Sequence, residues 1–440
     1  MSQDLDLSRL CLGDCESVSR RKFLGFSTAF AASMLMPYQS SLAGTRDPRF
    51  LFVILRGALD GLSAVMPVGD PDFAKVREGF MDDVKLAGAP LTLDGMFALN
   101  PSMKALAALY ANKQATLFHA ACTPYRDRSH FDGQEVLETG LPRVTHGDSG
   151  WLNRALAGLP IAKGTPRDKQ GLSVGPTVPL VMRGDLPVMS WSPEHLRVST
   201  PDTIARLMSL YQARDPALAE ALSQASTIAR ETAGQMNVAM SGKLMPVHMT
   251  GDMRMNSGPA MMPPPAARGQ DAMLQVADAA ARLLVRPDGP RVATLSIDGW
   301  DTHADEKPGT GRLGKLLGLL DQLFDHLHQG LAPVWNDTVI VAATEFGRTV
   351  RINGTAGTDH GTGTVAFMLG GAVKGGRIIA DWPGLTEKAL LDGRDLKPTT
   401  DLRAVLKPVL TDHLGIDRKL IDAKVFPDSV AVAGLKDLVG

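Results

Sequence analysis

The chain has 440 residues, with 46 lysines and arginines against 47 aspartates and glutamates, 44% hydrophobic residues and three cysteines. This is the composition of an ordinary globular protein with a large buried core, and length alone suggests two domains. The lack of basic excess argues against a nucleic-acid partner, because neutralising a phosphate backbone requires one.

The N-terminal run Ser19-Arg20-Arg21-Lys22-Phe23-Leu24 places paired arginines before the short apolar stretch Phe23 to Met36, then Pro37 and the small-x-small site Ser41-Leu42-Ala43. That order is the pattern of a twin-arginine export signal over residues 1–43, which implies the export machinery as a partner and a periplasmic or secreted mature protein starting near Gly44. The apolar stretch is shorter than the roughly 20 residues that span a bilayer, and no later segment reaches that length without charges, so no stable membrane span is expected. Cys11 and Cys15 leave with such a signal, and Cys122 alone remains, without an internal disulfide partner.

Phe50 to Leu55 is a continuous apolar run ending in the Gly-bounded loop Arg56 to Gly61, the pattern of a buried strand. Similar runs recur at Ala115 to Ala120, Arg291 to Ile297, Thr338 to Ala343 and Val365 to Leu369. Helical periodicity lies between several of them, at Ala272 to Val285 and at Arg312 to His328, where Leu313, Leu316, Leu317, Leu320, Leu323, Phe324 and Leu327 mark one face. The alternation predicts one doubly wound α/β domain over residues 44–440, with a mostly parallel sheet covered by helices on both faces. Residues 236–268, rich in methionine and ending near Pro263-Pro264-Pro265, form a long excursion. It reads as an apolar flap or packing arm, or, through thioethers beside His248, as a soft-metal segment.

Ligand crevices in open α/β sheets lie beyond the carboxyl ends of the strands. Polar residues collect there: Asp60 after the first strand; Arg126, Arg128, Ser129 and His130 after the second; Asp301 and His303 after the third; Glu345 and Arg348 after the fourth; Asp359 and His360 just before the fifth. Each also has a structural reading, Asp60 as a turn residue, Ser129 as a helix N-cap, Glu345 as a partner for Arg348. Together, carboxylates and imidazoles suit a divalent metal such as zinc or manganese, which would activate a serine hydroxyl or a water. His119, His146, His195, His326, His328 and His413 have no such company and read as surface or core histidines.

The ordered segments Arg56 to Leu62, Arg128 to Phe131, Asp298 to His303, Thr344 to Thr349 and Gly357 to Gly361 resemble the domain of unknown function 1501 family, which is placed by similarity in the alkaline phosphatase and sulfatase superfamily. The resemblance covers nearly all of the chain after the signal. It implies Asp60, Asp301, His303, Glu345, Asp359 and His360 as metal ligands, Ser129 as the nucleophile at a helix start, and Arg126, Arg128 or Arg348 as clamps on the anion. This chain departs from the superfamily at Glu345-Phe346, where phosphatases tend to carry an Asp-His pair, and Phe346 offers no ligand. Cys122-Thr123-Pro124-Tyr125-Arg126 matches the sulfatase C-x-P-x-R pattern, leaving Cys122 as a competing nucleophile against a small buried residue at a strand end. The expected function is an exported, metal-dependent hydrolase acting on a small anionic phosphate or sulfate ester. The alternative is a non-catalytic exported binding or assembly protein that keeps the fold.

Overall fold

A computed structural model describes residues 46–160, 169–192 and 265–440, with single helical positions at 208, 219 and 223. The signal segment, His195, and the excursion up to residue 264 lie outside the described residues. Residues Asp47–Gly440 form one compact unit.

Its strands are β1 (Arg49–Arg56), β2 (Val65–Met66), β3 (Leu91–Thr92), β4 (Ala98–Leu99), β5 (Ala115–Cys122), β6 (Gly171–Val174), β7 (Met189–Trp191), β8 (Val292–Asp298), β9 (Thr338–Ala343), β10 (Thr364–Leu369), β11 (Arg377–Ile379) and β12 (Thr400–Asp401). The main sheet runs β11-β5-β10-β9-β1-β8-β6-β7, with β12 also on β5, while β2, β4 and β3 make a small separate sheet. The five runs expected as strands all lie in the main sheet. β1 pairs in parallel with β8 and β9, and β6 in parallel with β8 and β7. β10 alone runs antiparallel, to β5 and to β9. The sheet is therefore mixed and largely parallel.

Both faces are buried, as a parallel sheet requires. Along β1, Leu51, Val53 and Leu55 enter one apolar cluster and Phe50, Phe52 and Ile54 the other. The principal helices are α1 (Lys104–Ala111), α2 (His130–Thr139), α3 (Trp151–Leu156), α4 (Pro265–Leu284), α5 (Arg312–Gly330) and α6 (Leu402–Pro408). Helices α1, α4 and α5 cover the first face, α3 and α6 the second. In α5 the predicted stripe is buried at Leu313, Leu317, Leu320, Leu323, Phe324 and Leu327, with Leu316 at its margin. Each such side chain contributes roughly 1.5–3 kcal/mol. No helix among the described residues is long and apolar enough to cross a membrane.

His119 in β5 is a core histidine with both nitrogens engaged. Its Nε2 lies 2.9 Å from the Val65 carbonyl, and its Nδ1 accepts from the Ala120 amide at 2.8 Å. Burial pushes its pKa down to about 4. As pH falls below 6.5 the unfolded chain takes up this proton first, so stability is intact above 6.5 and declines towards pH 4 by about 1.4 kcal/mol per unit. Denaturant unfolding at pH 7 and pH 5 should show a loss of about 2 kcal/mol assigned to this group. A His119→Gln variant that kept the same pH slope would refute the assignment.

Candidate metal centre

The antiparallel direction of β10 explains why a segment preceding a strand joins loops that follow strands. β9 delivers residues 344–363 to the carboxyl edge of the sheet, and the chain folds back there before β10 descends. Gly347 and Thr362 share a hydrogen bond, as do Gly361 and Gly347 and then Thr349 and Asp359, and Arg348 bridges to His360. His360 thereby faces the ends of β1 and β8. Gly57, at φ +117°, lets the loop after β1 press against the Trp300-Asp301 backbone, where a Cβ would stand 2.6 Å from the Asp301 nitrogen. Buried Trp300 anchors that second loop through its indole hydrogen bond to Ile297. Gly133 in α2 likewise allows contact with Phe346, since a Cβ would lie 2.8 Å from its ring. The first residue of α2, His130, is thus stacked on Phe346 with ring centroids 5.0 Å apart.

Three imidazoles meet one carboxylate at this edge. The Nε2 atoms of His303 and His360 lie 3.0 and 3.2 Å from Asp301 Oδ1, and that of His130 lies 3.4 Å from Asp301 Oδ2. On the far side of each ring, Nδ1 faces an acceptor: Glu345 Oε1 at 2.8 Å for His130, Asp359 Oδ1 at 3.2 Å for His303 and the Arg128 carbonyl at 2.9 Å for His360. Those acceptors keep the proton on Nδ1 and leave every Nε2 a lone pair directed inward, the arrangement by which proteins orient histidine ligands. His130 Nε2 is buried and has no hydrogen-bond partner among the described residues. The Nε2 atoms of His303 and His360 are 2.9 Å apart, a separation at which two lone pairs repel unless a cation lies between them.

These features fit a metal ion. Donor atoms at about 2.0–2.1 Å from zinc stand roughly 2.9–3.4 Å from one another, the spacing seen across the group. His130, Asp301 and His360 form a set whose donor atoms all lie within 4.8 Å of each other, and His303 adjoins it. The electrostatics are consistent with that use. Burial would raise the Asp301 pKa, but the Arg348 guanidinium outweighs it and keeps the carboxylate charged. The hydrogen bond to Glu345 draws the His130 pKa up against burial, whereas burial, aided by His130, lowers that of His360.

The structure divides the residues predicted from sequence. Asp301, His303 and His360 converge, with their donor atoms about 3 Å apart. Asp60 does not join them: it is 1% exposed and its two oxygens are held by Arg77 Nη1 and Nη2 at 2.5 and 3.1 Å. Glu345 stands behind His130 instead, on its Nδ1. Fully buried, it accepts from the Gly57 amide, His130 and Gln134 on one oxygen and from Thr344 on the other, and these bonds keep its pKa low despite burial. Asp359 sits behind His303, anchored by Asn353 Nδ2 at 3.1 Å.

The expected clamps are occupied elsewhere. Arg348 is buried, with its guanidinium on Asp301 and on the hydroxyl and carbonyl of Thr358. The Arg128 guanidinium binds Asp392 and Asp395, and it is the carbonyl of Arg128, turned by a φ of 64°, that faces the centre. Arg126 turns back on the Thr123 and Tyr125 carbonyls. Ser129 is the N-cap of α2 but its side chain makes no capping hydrogen bond. Cys122 ends β5 inside an apolar cluster with Ala58, Tyr125, Val136 and Phe346, and burial pushes its thiol up to about 11, which removes the thiolate a nucleophile needs.

His130 is the candidate donor that sequence reasoning did not place in the metal set. It replaces the histidine absent at Phe346 by arriving from another element, stacked on that phenylalanine. The available signal was its place beside Ser129 at the start of a helix. Glu345→Gln should test the orienting role: the fold should persist while metal affinity falls about 10–100-fold, and an unchanged affinity by competition with a chelating dye would refute it.

A family model described as "Protein of unknown function (DUF1501)" matches residues 47–425. No curated protein matches the sequence. Similar solved structures include Ps i-CgsB in complex with k-i-k-neocarrahexaose, 12% identical over 88% of this chain and 77% of that one, with a TM-score of 0.40. They also include the phosphonate monoester hydrolase of Agrobacterium radiobacter, 14% identical over 84% and 74% of the two chains at a TM-score of 0.35. A protein in the alkaline phosphatase superfamily from Vibrio parahaemolyticus is 12% identical over 81% and 70%, also at 0.35.

Proposed function

The chain belongs to the DUF1501 family, and we propose that it is an exported, metal-dependent hydrolase of phosphate or sulfate esters. The observation that carries this reading is the convergence of three imidazole Nε2 atoms on Asp301, each ring held from behind by an acceptor. A zinc or manganese ion held by His130, Asp301 and His360, with His303 adjoining, would polarise an ester oxygen and lower the pKa of a hydroxyl or water beside it.

The chain's own groups support the rest. Ser129 stands directly before His130, and its hydroxyl, not committed to capping α2, is the proposed nucleophile. The uncapped amides of the first turn of α2 are free to hold the anionic oxygens of the ester. This replaces the arginine clamp, since Arg126, Arg128 and Arg348 all bind protein groups. Arg348 instead keeps Asp301 charged and in place.

Metal analysis of protein purified from the periplasm, with aryl phosphate and aryl sulfate assays, tests the reading. Ser129→Ala should retain metal and lose turnover. Bound metal with no hydrolysis of either ester in the parent protein would favour the binding-module alternative. Export is tested separately: replacing Arg20 and Arg21 by lysine should hold the precursor in the cytoplasm. Met1 or Ser2 at the N-terminus of periplasmic protein would refute cleavage near Gly44.

A further inference from the structure

A cavity of about 940 Å³ opens at the same edge of the sheet, on the other side of α2 from the candidate metal centre. Its size is at the upper end of the range for small-molecule sites. Three hydrogen bonds connect the two: Glu345, which holds His130, accepts from Gln134; Gln134 accepts from Arg56; and Arg56 pairs with Glu138. Gln134, Arg56 and Glu138 all line the cavity.

The lining determines what can bind. Glu138 is spent on Arg56 and the Val181 amide, and Glu135 on the Thr145 and His146 amides. Arg183, among the described residues, hydrogen-bonds only through its Nε, to the Val178 carbonyl. Among the described residues, the groups left to meet a ligand are the Asp298 carboxylate, the Ser192, Ser296 and Thr177 hydroxyls and the terminal nitrogens of Arg183. Arg56 and Arg183 stand against Glu135, Glu138 and Asp298, because amide hydrogen bonds leave the charge of Glu135 in place, so the lining carries a surplus of one negative charge that disfavours an anion. Val174, Met273, Val276 and Leu180 supply apolar walls, and the 88%-exposed ring of Phe131 stands at the margin next to His130. Donors and acceptors set in apolar walls with a negative surplus match a ligand that carries hydroxyls and an apolar face and no negative charge.

We propose that this cavity binds the organic portion of the substrate, and that this portion is a hydroxyl-bearing group of one or two rings without a negative charge. As a statement about substrate it rests on the ester-hydrolase reading; as a statement about binding it stands alone. The test uses the full chain and three probes of equal size: neutral phenyl glucoside, anionic phenyl glucuronide and cationic phenyl glucosaminide, followed by calorimetry with and without added zinc. The neutral and cationic probes should bind at least about tenfold tighter than the anionic one, because an anion placed there loses hydration against a surplus of negative charge. Val276→Trp, which fills the cavity from α4, should abolish binding and leave metal content unchanged. Met273→Trp, on the same wall but partly exposed, serves should the first variant misfold.

Equal or tighter binding of the glucuronide, or undiminished binding in the filled variants, would overturn the proposal. Selective binding of the neutral and cationic probes without hydrolysis of any ester would reject the hydrolase reading alone. Hydrolysis of small aryl phosphates with no binding of the neutral probe would reject the cavity proposal alone.

Discussion

His130→Ala is expected to lower metal affinity by at least about a hundredfold, more than the 10–100-fold typical for loss of an orienting partner. The reason is geometric. His130 is the one imidazole in the group whose inward nitrogen is buried without any hydrogen-bond partner among the described residues, and its Nδ1 proton is fixed by a carboxylate that is itself fully buried. Removing the ring deletes a ligand and leaves Glu345 as a buried charge still bonded to Gly57, Gln134 and Thr344. His360→Ala should have a similar effect, since the Arg128 carbonyl aims that ring in the same way. Asp60→Asn, by contrast, should leave metal content unchanged, because its carboxylate is held by Arg77. Metal-to-protein ratios by mass spectrometry after equilibration in buffered zinc decide the matter. Retention by the His130 variant, or loss in the Asp60 variant, would overturn the ligand assignment.

Arg77→Met should destabilise the fold by about 3–5 kcal/mol, the usual result of removing one member of a buried ion pair. Arg77 is 1% exposed and reaches Asp60, Ser63 and the Thr349 and Val350 carbonyls. Burial alone would raise the Asp60 pKa, but the guanidinium reverses this and holds it below the usual carboxylate range. The pKa of the neighbouring Glu306 is pushed well upward, by burial and then by the charge on Asp60. Without Arg77, Asp60 must either remain charged in the interior or take up a proton. The deficit should therefore be largest near pH 8 and shrink as pH falls towards 5. At roughly 2 cal/mol/K of unfolding entropy per residue, the expected fall in melting temperature is about 4–6 °C. A second change, Asp60→Asn, should recover part of the loss by removing the stranded charge. A single variant within about 1 kcal/mol of the parent at pH 8 would show that the pair is not what stabilises this corner.

The pair also joins the two halves of the polar edge. Glu306 accepts from the Thr358 hydroxyl, Thr358 receives Arg348, and Arg348 reaches Asp301. Asp60 thus connects to the candidate metal centre through side chains that support it, not as one of its ligands.

What the sequence by itself determined is local. Continuous apolar runs specify β1, β5, β8, β9 and β10, because a strand buried on both faces can be built in no other way, and the leucine stripe specifies α5 through its 3.6-residue period. The clustering of carboxylates and histidines near strand ends marked the edge where the candidate metal centre lies. The brief strands β6, β7, β11 and β12 were not legible, since two to four residues carry no periodicity and pair only where a longer neighbour presents a free edge.

Only the tertiary structure decided what each polar group does. Asp60, Glu345 and Asp359 look alike in sequence, yet one meets an arginine 17 residues away, another a histidine 215 residues away, and the third the back of His303. Those partners arrive through packing between distant segments, which no local pattern records. The antiparallel turn of β10 brings His360 to the carboxyl edge, and the missing Gly133 side chain lets α2 seat His130 on Phe346. A carboxylate's role as ligand, orienter or ion-pair partner is set by which charge or proton reaches it first in the folded chain, and that is a property of three-dimensional contact.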